Sequence, residues 1–130
     1  MPTAELGHSS RPWLLAARAA AVTSVGVVLV LFVTAGELVQ NHALEDVHGA
    51  AAIVLHVVTG ALATTLAGLA HSRGRGWWSA ALAGLLFAYT FVQAYLGEGT
   101  TLALHIPGSL AVAGAAVWLT AWLFCAVVAE

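Results

Sequence analysis

The sequence predicts an all-α integral membrane protein, a four-helix up-down-up-down bundle with both termini in the cytoplasm. Three observations support this fold class. The 130 residues are 61% hydrophobic and 8% charged, with a mean hydropathy of +0.93, which is unlike the composition of soluble domains. Four apolar stretches are each long enough to cross about 30 Å of hydrocarbon as a helix. All four arginines fall on one side of the membrane in this arrangement.

The four apolar stretches are predicted to be transmembrane helices that form one domain. They are Trp13–Gly36, Leu44–Ala70, Trp77–Gly97 and Thr101–Val128. A helix satisfies its own backbone polar groups in lipid, and these runs are too long and too weakly alternating for barrel strands. Because the connections are short, each helix is expected to lie antiparallel beside the preceding one.

The charge distribution predicts the orientation in a bacterial-type inner (plasma) membrane. The basic residues are Arg11, Arg18, Arg73 and Arg75, whereas the opposite turns carry Glu37, Glu45, Asp46 and Glu98. The positive-inside rule assigns the arginine side to the cytoplasm, and most of the tryptophans fall near it, as expected for headgroup contacts. A competing interpretation makes helix 1 a signal peptide that is cleaved after Val33-Thr34-Ala35.

Helices 2 and 4 each contain a feature that leaves alternatives open. Gly60, Thr64 and Gly68 recur every fourth residue, which is either the small-xxx-small pattern of packed membrane helices or a chance result of an Ala- and Gly-rich helix. This Gly60–Gly68 face is also the candidate contact of a homo-oligomer. Pro107 lacks an N–H and disfavours helix at the preceding residue, so helix 4 either kinks there or begins there.

The composition excludes several classes of function. Four Arg and no Lys provide too little basic charge for recognition of a phosphate backbone, so nucleic acid is excluded as a partner. The single cysteine, Cys125, excludes an internal disulfide and a thiolate metal centre. Six histidines stand out among so few polar groups.

Three of these histidines, His48, His56 and His105, are predicted at membrane depth, where an ionisable group is expensive and is therefore a candidate for function. His48 and His105 each follow the outer start of their helix by about one turn, so both should lie roughly 6 Å into the membrane. Helices 2 and 4 are diagonal in the predicted bundle. Two level imidazoles on facing helices are the geometry of bis-histidine haem ligation. Small residues follow each histidine, Gly49–Ala52 after His48 and Gly108 and Ser109 after His105.

Three further residues are candidates for supporting roles. His56 is an alternative axial ligand, part of a second polar site, or a histidine satisfied by hydrogen bonds within the bundle. Gln93, level with His48 and His105, is expected either to hold the second ring nitrogen of a ligating histidine or to form an ordinary interhelical hydrogen bond. Glu45 stands three residues before His48, either as a carboxylate that handles protons or substrate or as an acid favoured by the helix dipole.

These features resemble one four-helix haem-binding half of the haem A synthases, which has a histidine on each of two helices and a Glu-x-x-His sequence. The resemblance implies that His48 and His105 ligate haem and that Glu45 takes part in catalysis, and it makes the chain a candidate oxidoreductase. The outer-loop cysteine pair of many haem A synthases is absent. The segment Leu104–Pro107, preceded by Phe91–Gln93, also resembles small four-helix bacterial membrane proteins with a Leu-His-Pro type motif.

Three hypotheses for function follow. The first is a membrane b-type haem protein with His48 and His105 as ligands of haem b, acting in electron transfer or in haem and quinone redox chemistry near the outer face, with a quinone or redox protein as partner. The second is a zinc or copper site on the outer face. Its candidate ligands are His42, Glu45, Asp46, His48 and His105, with Glu37 and Glu98 nearby. The third is a non-catalytic small membrane subunit whose buried histidines join helices.

Overall fold

The computed structural model describes residues 5–97 and 99–125, with side chains from residue 10 onward except that of residue 99. Helix α1 is Glu5–Asn41, α2 is Glu45–Arg73, α3 is Trp77–Leu96 and α4 is Leu102–Cys125, and a short 3-10 turn, Gly99–Thr101, precedes α4. All four helices are long and apolar enough to span a membrane. The predicted all-α class with four membrane-spanning helices is therefore confirmed.

The helices pack in a ring, in which α1 and α3 each contact both α2 and α4. The centre is filled by leucine and small residues, and its largest fully buried side chains include Leu62, Leu66, Leu119 and Leu123. Many other large apolar side chains face outward, such as Val33 and Leu85, which are both 68% exposed. This arrangement suits a lipid bilayer, because hydrocarbon tails solvate apolar side chains as well as a protein core does.

Helix boundaries differ most from the prediction in α1, which begins at Glu5 rather than Trp13 and ends at Asn41 rather than Gly36. Polar residues extend its last turns, since Asn41 Nδ2 donates to the Glu37 carboxylate at 2.7 Å across one turn. The other helices begin or end within a few residues of the prediction. The predicted end of helix 4, Val128, lies outside the described residues.

Helix α4 begins at Leu102 and continues through Pro107, so it does not begin at the proline. The proline ring removes the donor that would bond the Ala103 carbonyl, and this loss falls near the helix start. His105 therefore lies in the first turn of a continuous helix.

A reversal of three residues, 42–44, joins α1 to α2. His42 and Leu44 adopt left-handed conformations with φ of 51° and 64°, each of which costs roughly 1–2 kcal/mol for a residue with a Cβ. His42 N donates to the Leu38 carbonyl at 3.1 Å, and His48 N donates to the Leu44 carbonyl at 2.9 Å. The reversal brings the end of α1 beside the start of α2.

Helix α2 ends in a Schellman turn that leads directly into α3. Gly74, with φ of 66°, donates to the His71 carbonyl at 3.3 Å, and Arg75 N donates to the Ala70 carbonyl at 3.2 Å. These main-chain bonds fix the main chain of the turn that carries Arg73 and Arg75, just before the start of α3.

We expect Gly74→Ala to lower the free energy of unfolding by about 1–2 kcal/mol, because only glycine adopts a left-handed conformation without strain. Unfolding of the purified protein in mixed micelles measures this loss. Gly84→Ala is the control, since a Cβ at Gly84 meets nothing within 4 Å. An equal loss in the two variants would contradict the argument from the turn.

A half-buried arginine joins α1 to α4. Arg18 Nε and Nη2 donate to the Leu123 carbonyl at 3.1 and 3.0 Å. The guanidinium also lies 4.9 Å from the centre of the Phe124 ring, within the range of a cation–π contact. Arg18 thus links the first helix to the main chain of the fourth.

Candidate two-histidine site

His48, in the first turn of α2, is held by a hydroxyl group of α1. Thr34 Oγ1 lies 2.9 Å from His48 Nδ1, and it also lies 2.8 Å from the Val30 carbonyl and 3.1 Å from the Leu31 carbonyl. A hydroxyl has one hydrogen and a carbonyl only accepts, so when Thr34 donates to the main chain it accepts from His48. In that arrangement the neutral imidazole carries its hydrogen on Nδ1.

His105, in the first turn of α4, is held by the main chain of α3. Its Nδ1 donates to the Gln93 carbonyl at 2.9 Å. Because a carbonyl cannot donate, this bond places the hydrogen of the neutral imidazole on Nδ1. The ring lies against the end of α3, where a Cβ added at Gly97 would be 3.4 Å from His105 Cε1.

The two imidazoles have similar surroundings and lie near each other. They are half-buried and close enough to interact electrostatically. The described residues give Nε2 of His105 no hydrogen-bond partner, and the His48 ring also lies near the Leu31 carbonyl. An acceptor that holds Nδ1–H and leaves Nε2 available is typical of histidines that ligate metals. The structure thus brings together the two histidines that the sequence singles out.

The Gln93 side chain is a second unusual feature of this region. It is 6% exposed, and neither its Oε1 nor its Nε2 has a hydrogen-bond partner among the described residues. The amide lies directly over Gly108, where an added Cβ would overlap Gln93 Nε2 and lie 2.7 Å from the Tyr89 hydroxyl. An unpaired buried polar group costs about 1–3 kcal/mol, so the amide indicates a water or ligand position in this contact.

His56, two turns further along α2, contacts α3. Its Nδ1 lies 2.7 Å from the Thr90 hydroxyl, which donates to the Phe87 carbonyl at 2.7 Å, so His56 is the donor to Thr90. The imidazole stacks on Phe91 with ring centres 4.2 Å apart and an interplanar angle of 6°. Of the alternatives for His56, this geometry favours a histidine satisfied by hydrogen bonding within the bundle.

The acidic residues do not join the two imidazoles. Glu45 is exposed in the first turn of α2 beside Asp46, where the helix dipole favours an acid, and no ion pair links it to His48 in the described part of the chain. Within residues 5–97 and 99–125, no three His, Cys, Asp or Glu side chains are grouped to hold a metal ion. Glu98 lies outside the described residues.

Two glycines of α2, Gly60 and Gly68, are covered by aromatic rings of the same chain. A Cβ at Gly60 would be 3.2 Å from the Phe87 ring of α3, and a Cβ at Gly68 would overlap the Trp13 ring of α1. These small residues thus have the packing role that their spacing predicts, with a side chain rather than a backbone as neighbour. The face expected to join two copies is already occupied at both positions.

Two site residues, Thr34 and Tyr89, were not singled out as ligand-holding groups from the sequence. Thr34 is a single hydroxyl in an apolar part of α1, and Tyr89 stands one turn before Gln93, so their positions carried a weak signal. Gln93 was expected either to hold the second ring nitrogen of a ligating histidine or to form an ordinary interhelical hydrogen bond. It accepts a hydrogen bond from His105 through its main-chain carbonyl. Every residue has a carbonyl, so no sequence signal distinguishes that contact.

The chain has no match among models of known protein families, curated proteins or solved structures. The geometry of the site is therefore the basis for assigning a function.

Proposed function

We propose that the chain is a b-type haem protein of the membrane, with Nε2 of His48 and Nε2 of His105 as the axial ligands of haem b. The observation that supports this most is the shared geometry, in which each Nδ1 lies 2.9 Å from an oxygen atom of a neighbouring helix. A neutral imidazole with a free Nε2 is a common ligand of haem iron. Bound haem supplies a one-electron iron couple, which suits an electron carrier with a quinone or a redox protein as partner.

The number of available ligands favours haem over a zinc or copper ion. Structural and catalytic zinc sites take three or four protein ligands, whereas a porphyrin provides four nitrogens and leaves two positions for the protein. The described residues bring His48 and His105 together without a third ligand of the His, Cys, Asp or Glu type. This donor set fits haem and does not fit a closed zinc site.

The surroundings of the imidazoles are compatible with a large flat ligand that has polar edges. Gly49, which follows His48 in the chain, is exposed, and a Cβ added there would meet nothing within 4 Å. The Gln93 amide and the Tyr89 hydroxyl are hydrogen-bond donors, and the amide is buried without a partner in the described residues. We assign them to polar atoms at the ligand edge or to a water beside it.

The proposal includes an up-down-up-down arrangement in a bacterial-type inner membrane with both termini in the cytoplasm. Trp13 contacts Gly68, and Arg18 contacts Leu123. These contacts bring the chain segments that carry the arginines to one end of the bundle. The positive-inside rule then assigns this end to the cytoplasm and the histidines to the outer half of the membrane.

Cysteine labelling tests this orientation. With Cys125 replaced by Ala, His42→Cys should react with a membrane-impermeant maleimide in intact cells, whereas Ser72→Cys should react only after lysis. The opposite pattern would overturn the orientation. Labelling of both positions in lysed cells is the control for their accessibility.

Optical spectroscopy tests the cofactor. The protein is expressed with a haem supply, purified in detergent, and measured in the oxidised and the dithionite-reduced state. We expect the sharp bands of a low-spin b-type haem at one haem per chain. A colourless protein under these conditions would overturn the proposal, and metal analysis of the same sample would show whether a zinc or copper ion is bound instead.

We expect Thr34→Val to weaken haem binding by about 10–100-fold, the usual effect of removing a group that orients a ligating histidine. Valine has the shape of threonine but cannot accept the hydrogen bond from His48 Nδ1. Haem titration of the apoprotein measures the affinity, and the reduction potential gives a second readout. Thr34→Ser restores the hydroxyl and should restore both values, so a serine variant as weak as the valine variant would refute this role.

A further inference from the structure

A cavity of about 180 Å³ lies at the arginine end of the bundle, opposite the histidine site. It is enclosed by the end of α2, the start of α3 and the last turn of α4. The lining combines three kinds of group: the arginines Arg73 and Arg75, the tryptophans Trp78 and Trp122, and apolar side chains that include Leu69. The cavity therefore offers positive charge at one wall and apolar surface at the others.

The positive charge of this wall has two sources. The Schellman turn fixes the main chain of Gly74 and Arg75, and thereby holds Arg73 and Arg75 at the cavity. The second source is the start of α3, which contributes Gly76 to the lining. Among the described residues no side chain caps this helix end, and its first turn contains no acid, so the positive end of the helix dipole at the cavity favours an anion.

The sequence around the cavity strengthens its preference for anions. No acidic residue occurs anywhere between Val47 and Gly97, a segment that covers nearly all of α2 and the whole of α3. Guanidinium groups bind phosphate through paired N–H donors, which makes arginine the preferred residue for this group. A phosphate group is therefore the anion that Arg73 fits best.

The aromatic and apolar walls indicate where this phosphate comes from. Trp78 and Trp122 lie edge to face, with ring centres 4.8 Å apart and an interplanar angle of 72°. Tryptophan favours the headgroup region of a bilayer, and basic pockets between transmembrane helices on the cytoplasmic side bind anionic headgroups. We propose that this cavity binds the phosphate group of an anionic membrane phospholipid.

Binding measurements on the full chain test the proposal. Purified protein is titrated with phosphatidylglycerol or phosphatidylcholine in mixed micelles, and the bound lipid is counted by native mass spectrometry alongside the thermal midpoint. We expect phosphatidylglycerol to bind and to raise the midpoint, and phosphatidylcholine to do neither. Arg73→Gln should weaken phosphatidylglycerol binding about tenfold, the loss expected for a charge-assisted hydrogen bond.

The controls separate this cavity from general attraction of a basic surface. Arg11→Gln removes the same charge near the same end but outside the cavity lining, and it should leave binding unchanged. Arg73→Lys keeps the charge without the paired donors, so it should bind with intermediate strength even if Arg73→Gln fails to fold. Equal losses in Arg11→Gln and Arg73→Gln, or equal binding of the two lipids, would overturn the proposal.

Competition with inorganic phosphate tests whether the bound phosphate group belongs to a phospholipid or to a free phosphate ion. We expect millimolar phosphate to compete weakly with phosphatidylglycerol, because it lacks the apolar part that the other walls contact. Saturable binding of phosphate that excludes the lipid and is lost in Arg73→Gln would support the phosphate site but overturn the lipid as its occupant.

Discussion

Replacing either His48 or His105 with alanine should abolish the low-spin haem spectrum of the purified protein. Each substitution removes one of the two proposed axial Nε2 atoms, and a single remaining imidazole cannot hold the iron six-coordinate. The loss of haem should exceed the roughly 10–100-fold expected for a residue that only orients a ligand. Absorption spectra and haem content per chain measure the effect, while circular dichroism checks that the four helices remain.

Two other histidines of α2 provide matched controls. His71 is exposed at the opposite end of α2, so His71→Ala should leave the spectrum unchanged. His56 donates to Thr90 and stacks on Phe91, so His56→Ala should lower stability and keep the haem bands. Loss of the bands in His56→Ala, together with their retention in His48→Ala, would show that the ligand assignment is wrong.

Gly68→Leu should be the most destabilising of the glycine substitutions in α2. A Cβ at this position would overlap the Trp13 ring, so a leucine can be accommodated only if the indole leaves its place between α1 and α2. Overpacking of this kind costs about 1–3 kcal/mol, and we expect the loss to lie at the upper end of this range. Unfolding by SDS titration in mixed micelles measures it, and Trp13 fluorescence should report the displaced ring.

Gly26→Leu is the matched control for this substitution. A Cβ at Gly26 in α1 meets nothing within 4 Å and the position is exposed, so the added side chain enters lipid and removes no contact. Its stability should equal or exceed that of the unaltered chain. If Gly26→Leu and Gly68→Leu were equally destabilised, the effect would come from the loss of glycine itself and not from the indole contact.

The number and approximate positions of the helices were predictable because lipid imposes a length and a polarity on every spanning segment. The ends were less predictable, since they depend on local bonds. The hydrogen bond from Asn41 to Glu37 extends α1, and the Schellman turn extends α2 to Arg73. Pro107 was expected either to kink helix 4 or to start it. The helix begins earlier, at Leu102, and includes the proline.

The histidine site was predictable in part. The equal offsets of His48 and His105 from their helix starts indicated that the rings would be level, and this needed only the rise of a helix. The groups that hold the rings, Thr34 and the Gln93 carbonyl, depend on which faces of α1 and α3 turn inward. The cavity at the arginine end forms where the α2–α3 turn meets Trp122 of α4. No local pattern in the sequence reveals that contact.

The contact between Arg18 and Leu123 also bears on how the chain is assembled during synthesis. A guanidinium inside a membrane span opposes insertion by up to about 3 kcal/mol at the bilayer centre and less near its edge. The carbonyl that binds Arg18 belongs to α4, which is synthesised after the other three helices. A nascent chain with α1 already inserted therefore lacks this partner of Arg18 until α4 docks, so completion of the four-helix bundle and formation of this contact are one event.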